Sequence, residues 1–199
     1  MIDSPTGRGA AASSPSMLDL VRLSPRRLFP PGGEPLYRQI ALLTGMSEHD
    51  EALVVGSGRG VSLEYFVQEH GVQGSGIEED ARLVELSEAR AREVGVSGRL
   101  HVQSAPADAL PYRDEIFDIT VGELGMTSSA DPATAVRELV RVTRSGGSVV
   151  LVQLVWKAPV DPERRAVLGE HLGVQPLMLV EWKRLMKSAG VVDLHTEDW

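Results

Sequence analysis

Apolar positions along the chain follow two different periods. The short apolar run 52–55 is followed by further strand-like segments at 72–77, from 100–102 onward, at 116–121 and at 149–155. Runs of that length bounded by turn residues predict buried strands. Between them the spacing lengthens to that of a helix. Pro35–Leu43 places Leu36, Ile40 and Leu43 on one side, and Val61–His70 does the same with Leu63, Phe66 and Val67. Glu79–Val94 predicts a long helix. Another opens at Asp131 as N-cap with Pro132 at N1, buries Val136, Leu139 and Val140, and ends at Ser145-Gly146-Gly147. Pro162–Leu172 reads as helical. Val180–Ala189 is a clearer helix, with Trp182, Leu185, Met186 and Ala189 spaced i, i+3, i+4, i+7 and Gly190 as its stop. Val191–His195 is expected to form one more strand. Strand–helix alternation predicts an α/β, doubly wound, mostly parallel sheet with helices on both faces.

Composition narrows this picture. The 199 residues, 42% hydrophobic and 24% charged, suit one domain with a tail. Residues 1–33 are rich in Ser, Pro, Gly and Ala, and predict a mobile segment with a short ordered piece from Met17; residues 34–199 form the domain. Arg22, Arg26 and Arg27 read as a solvated basic cluster packing against an acidic body. The net charge of −8 disfavours a broad nucleic-acid surface. With Cys at 0 there is no disulfide framework, thiolate site or Cys nucleophile. The histidines, His70, His101 and His195 among them, are scattered, so no metal site is expected. The first residues lack the apolar core of a signal peptide, and no apolar run approaches a membrane span. A soluble, cytoplasmic protein is the expectation.

The candidate chemistry begins at VVGSGRG (54–60), which closes the first strand and opens the first helix. Glycines there allow a tight turn and close approach to a ligand, and the helix N-terminus adds free N–H groups. The dinucleotide fingerprint G-x-G-x-x-G would need a glycine at Val61. The pattern here is Gly56-x-Gly58-x-Gly60, which suits a nucleoside cofactor without a pyrophosphate. Glu78 follows at the tip of the second strand, where a carboxylate accepts both ribose hydroxyls of an adenosine. It could equally serve as the N-terminal charge of the next helix, a role Glu79 and Asp80 also fill.

The ordered set VVGSGRG (54–60), GIE (76–78), ADALPYRDEIFDITVGE (107–123) and VRELVRVTRSGGSVVLV (136–152) resembles class I S-adenosylmethionine-dependent methyltransferases, in their UbiE-like small-molecule branch. The stretch FPPGGEPLYRQIALLTGM is similar to the lead-in helix of some members. The resemblance implies a Rossmann-like fold, S-adenosylmethionine as cofactor and methyl transfer by in-line displacement to a small molecule. It implies that Gly56, Ser57, Gly58 and Gly60 hold the methionine and ribose portion. Glu78 would grip the ribose diol, and Glu79 would lie beside adenine. Ala107 and Asp108 would contact adenine, while Gly122, Glu123 and Leu124 would line the sulfonium end. Glu123 is the one candidate general base. Asp118 looks structural, and Glu138 with Arg141 looks like an ion pair on a helix face. Trp156 and Trp182 read as core or lid packing.

The chain departs from the family in three places. Val54 stands where an acidic residue organises the cofactor's methionine end, with Tyr37, Arg38 or Glu123 as candidate substitutes. Pro106 stands where another acid often follows the third strand. The family sheet ends in an antiparallel pair, and here the last strand is expected to be missing, supplied by a partner chain, by the N-terminal segment or not at all. A homodimer is therefore considered. These departures leave an alternative, a non-catalytic or attenuated cofactor-binding protein on the same fold. An NAD(P)-dependent oxidoreductase is disfavoured by Val61 and by the absence of a Tyr-x-x-x-Lys pair.

Overall fold

The computed structural model describes residues 14–24, 26, 28, 29, 32–128 and 130–199. A five-stranded parallel sheet runs in the order β3-β2-β1-β4-β5. Its strands are β1 (Glu51–Val55), β2 (Gln73–Glu78), β3 (Leu100–Ser104), β4 (Phe117–Gly122) and β5 (Thr143–Leu151). The helices are α1 (Met17–Leu23), α2 (Gly33–Thr44), α3 (Val61–His70), α4 (Ala81–Glu93), α5 (Pro132–Val142), α6 (Pro162–Leu172) and α7 (Leu179–Ser188). Strand order reverses between β1 and β4, which opens a crevice at the strands' carboxyl ends.

The central strand explains the two-faced core. Side chains alternate across β1. Ala52 and Val54 join Tyr37 and Ile40 of α2 and Leu63 and Phe66 of α3 in one apolar cluster. Leu53 and Val55 join Phe117, Val136, Leu139, Trp182 and Met186 in the other, under α5 and α7. A strand buried on both faces has to be apolar throughout, which is why ALVV shows no polar alternation. Trp182 is thus a core residue, as expected; Trp156 is half-buried.

Asp118 is structural. Its Oδ2 accepts the Glu51 amide at 2.9 Å, and Arg144 reaches it at 2.5 Å. Arg141 does more than pair with Glu138 at 2.6 Å. It also donates to the Tyr112 and Leu110 carbonyls, while Glu138 accepts the Leu110 amide at 2.8 Å. The pair therefore pins the loop that leads into β4. At the opposite edge, Glu88 of α4 accepts the Val102 amide of β3 at 2.9 Å.

Three expectations are corrected. Ser145-Gly146-Gly147 does not end α5. The helix stops at Val142, and these residues form an irregularity inside β5, between the pairings Phe117–Thr143 and Ile119–Ser148. Gly147 is pressed so closely on the Asp118 carbonyl that a Cβ would overlap it. Strand β5 ends at Leu151, and Val155–Trp156 forms a separate strand, β6, pairing in parallel with β7 (Leu177–Met178). Val191–His195 is not a strand. The Val191 amide bonds back to the Met186 carbonyl in the turn that closes α7, and Val191 and Leu194 pack on the α5–α7 cluster instead of pairing.

Leu139 is fully buried between α5 and the sheet, whereas Leu43 of α2 is 55% exposed. Leu139→Ala is expected to cost about 3 kcal/mol of unfolding free energy, and Leu43→Ala less than about 0.5. Urea denaturation of both variants checks the contrast.

Candidate functional site

The glycine loop is shaped by its own backbone. Gly56, Gly58 and Gly60 have φ of 75°, 55° and 73°, a region that side chains disfavour. Gly56 has a second reason to be glycine, since a Cβ there would collide with the backbone of Gly125 and Met126. The Gly56 and Ser57 amides both donate to the Ile77 carbonyl, at 2.9 and 3.0 Å, and so tie the loop to β2.

Glu78 sits at the tip of β2 with 1% of its surface exposed. Its Oε2 accepts the Gly58 amide at 2.8 Å and its Oε1 accepts the Asp80 amide at 3.1 Å. Its two backbone partners lie one in the glycine loop and one at the start of α4. Helix α4 is capped instead by Asp80, whose side chain takes the Arg82 amide at 2.9 Å. The third partner of Glu78 was not foreseen. Arg22 of α1 donates from Nη2 to Glu78 Oε2 at 2.8 Å, with its own side chain only 14% exposed. Arg22 is therefore no solvated residue, and Arg27 lies outside the described residues. The available signal was spacing. Leu18 and Arg22 stand i, i+4 on the short ordered piece, so its buried face had to carry an arginine.

Two clefts open at the strand ends, and Glu78 lines the narrower of them. The narrow one is lined by Gly56, Ile77, Glu78, Glu79 and Ala107, from the glycine loop, the end of β2 and the segment after β3. The broader one is lined by Ser57, Gly58, Glu123 and Leu124 from the strand ends, and by Val21 and Arg22 from α1. The fold thus brings together most of the residues picked from sequence. Two stand apart. Asp108 is exposed and lines neither cleft. Gly122 packs against Met126, Leu139 and Leu151, and a side chain there would displace them. Gly60 is likewise turned toward Ser87 of α4, where it serves the close helix approach.

Glu123 follows β4 and is 4% exposed. Its amide donates to the Val55 carbonyl at 2.9 Å. Its carboxyl Oε1 accepts the Tyr37 hydroxyl at 2.9 Å. The Ser62 hydroxyl lies beside it, off hydrogen-bonding geometry and without another partner among the described residues. Burial pushes the Glu123 carboxyl up to about 7. Ser62, Tyr37 and Arg22 oppose that rise, and the neighbouring Glu78 charge adds to it. Tyr37 is raised well above its ordinary value by burial and by Glu123. Val54, in place of an acid, is fully buried in the apolar cluster that also holds Tyr37. Of the three candidate substitutes, the structure pairs Tyr37 with Glu123, while Arg38 is exposed.

These residues fit an adenosine-type cofactor. A buried carboxylate faces the crevice, glycine backbone leaves room beside it, and a thin cleft adjoins it. Residues 53–151 match the family described as a methyltransferase domain. The chain belongs to the class I S-adenosylmethionine-dependent methyltransferases. This methyltransferase is 30% identical over 98 residues to the ubiquinone/menaquinone biosynthesis C-methyltransferase UbiE of Geotalea daltonii, covering 49% of this chain and 39% of that protein. It is 27% identical over 170 residues to the methyltransferase GfsG of Streptomyces halstedii, covering 83% of this chain and 61% of that one. The methyltransferase therefore spans less than two thirds of the length of either relative. Among solved structures, a geranyl diphosphate methyltransferase in complex with S-adenosylmethionine shares the fold, with a TM-score of 0.68, 22% identity, and coverage of 78% of this chain and 63% of that one.

Unfolded Glu123 ionises near 4.5 and folded Glu123 near 7, so the folded protein keeps a proton across that window. The stability this contributes is complete below pH 4.5 and is lost as pH rises through about 7, by at most about 1.4 kcal/mol per pH unit. Denaturation midpoints of the wild type and of Glu123→Gln should therefore diverge between those values, the variant showing the flatter profile. Parallel profiles would refute a buried, proton-holding Glu123.

Proposed function

We propose that this chain binds S-adenosylmethionine and transfers its methyl group to a small-molecule acceptor. The observation that carries the reading is Glu78, a buried carboxylate at the tip of β2 that shares Gly58's amide with the glycine loop. Ribose hydroxyls arriving at the crevice would find acceptor oxygens already oriented. Gly56, Ser57 and Gly58 would hold the methionine and ribose portion through backbone groups. Glu79 and Ala107 line the thin cleft and would flank adenine, with Asp108 nearby on the loop after β3. Gly122 shapes the chain before the methyl end, and Glu123 and Leu124 would line it.

The cofactor supplies an activated methyl, so the protein's part is to position two reactants and keep water out. An acceptor that reacts without losing a proton needs nothing more. One that carries a proton would meet Glu123, whose carboxyl exchanges a proton near pH 7. Tyr37 holds that carboxyl in place from the far side.

A free small molecule suits the net charge of −8 better than a nucleic acid does. Among the described residues no helix is long and apolar enough to cross a membrane. A cytoplasmic location goes with this reading, as does a homodimer through the outer edge of β5. A second reading is favoured by Val54. With an apolar side chain in place of an acid, the chain would bind the cofactor with attenuated turnover or none.

Calorimetry with S-adenosylhomocysteine tests the first step. Saturable binding is expected, weakened about tenfold or more by Glu78→Ala and by Ala107→Phe, which fills the thin cleft. Absence of binding at millimolar concentration in a folded sample would overturn both readings. Methylation of an acceptor panel then separates them. Turnover that falls at least about tenfold in Glu123→Gln, with loss of the pH limb near 7, supports Glu123 as the base. Binding without turnover on any acceptor supports the second reading.

A further inference from the structure

Helix α1 has seven residues, too short to hold its shape alone. Ser16 and Asp19 cap it reciprocally, at 3.1 Å and 3.0 Å. Its attachment to the body rests on few contacts. Leu18 packs in a small cluster with Leu124, Val174, Leu154 and Leu172, separate from both main cores. Ser24, just beyond the helix, gives its carbonyl to Arg59 of the glycine loop. Arg22 reaches past both to Glu78. The guanidinium lies against Gly125, where a Cβ would overlap it, and the stem of the side chain passes Gly58.

Arg22 and the Gly58 amide thus share Glu78 Oε2, and the Asp80 amide takes Oε1. A carboxylate with about four lone-pair sites, three of them filled, cannot accept both hydroxyls of a diol while the guanidinium stays. We propose that Arg22 and the ribose hydroxyls compete for Glu78, so that cofactor binding and the docking of α1 oppose one another. The inference rests on the cofactor reading above. Helix α1 then acts as a latch across the crevice, with one apolar foot at Leu18 and one charged foot at Arg22. Cofactor arrival releases the charged foot. Without that contact the Leu18 cluster and the Ser24–Arg59 bond have to hold a helix whose Met17, Leu20 and Leu23 are exposed. An element with so little buried surface opens readily.

The competition has a sign that a merely structural arginine would not show. Arg22→Met keeps the length and apolar stem of the side chain and removes its charge. It should tighten S-adenosylhomocysteine binding about tenfold in calorimetry, and Arg22→Lys should fall between the two. Hydrogen exchange gives an independent readout. Amides of Leu20–Leu23 should lose protection in Arg22→Met, and in the wild type when S-adenosylhomocysteine is added. Unchanged or weaker binding in Arg22→Met would overturn the proposal, as would α1 amides that gain protection with S-adenosylhomocysteine. If no variant binds S-adenosylhomocysteine, the cofactor reading fails. Exchange in Arg22→Met alone then decides whether Arg22 holds α1 down, and unchanged protection there overturns the latch as well.

Discussion

A charge buried at the end of a strand governs how this molecule is put together. Glu78 lies at the carboxyl end of β2 with almost no exposed surface, and an ionised carboxylate in that position needs donors. Three arrive from different parts of the chain: the amide of Gly58, the amide of Asp80 and the guanidinium of Arg22. Each contact fixes a neighbour. The first shapes the glycine loop, the second sets the start of α4, and the third draws in α1. The crevice at the strand ends is thus organised around one side chain, and its walls are whatever that side chain holds.

The second carboxylate of the site is satisfied differently. Among the described residues no cation bonds to Glu123; its donor is the neutral hydroxyl of Tyr37. Charge is therefore disfavoured there, and the carboxyl holds its proton to about 7. The two glutamates of the crevice thus differ in what they are offered, one charged and backbone donors and the other a phenol. Val54 keeps the β1 strand apolar in the same buried cluster as Tyr37, the α2 residue that supports Glu123.

Much of this was legible in the sequence because local signals agreed. The apolar runs of β1 and β4, the Asp131-Pro132 start of α5 and the glycines after β1 each carry their own chemistry, and the fold uses them as read. The spacing from Gly60 to Glu78 placed the carboxylate opposite the loop before any contact was known. What escaped reading depended on tertiary context. Ser145-Gly146-Gly147 has the composition of a helix stop, yet the close approach of the Asp118 carbonyl turns it into a strand irregularity. Val191–His195 has strand-like residues, and the turn after α7 spends them on packing. Arg22 looked like surface charge because its partner lies 56 residues away, and no local pattern announces a long-range ion pair.

The edge of the sheet at β3 shows one more use of a carboxylate. The outward amide of Val102 is taken by Glu88, reaching over from α4. A strand from another molecule could add there only by first evicting that side chain, and it would bring a negative charge close to its own carbonyls. A neighbouring helix thus covers one outward amide of the β3 edge, one of the ways a sheet edge is made a poorer template for further strands.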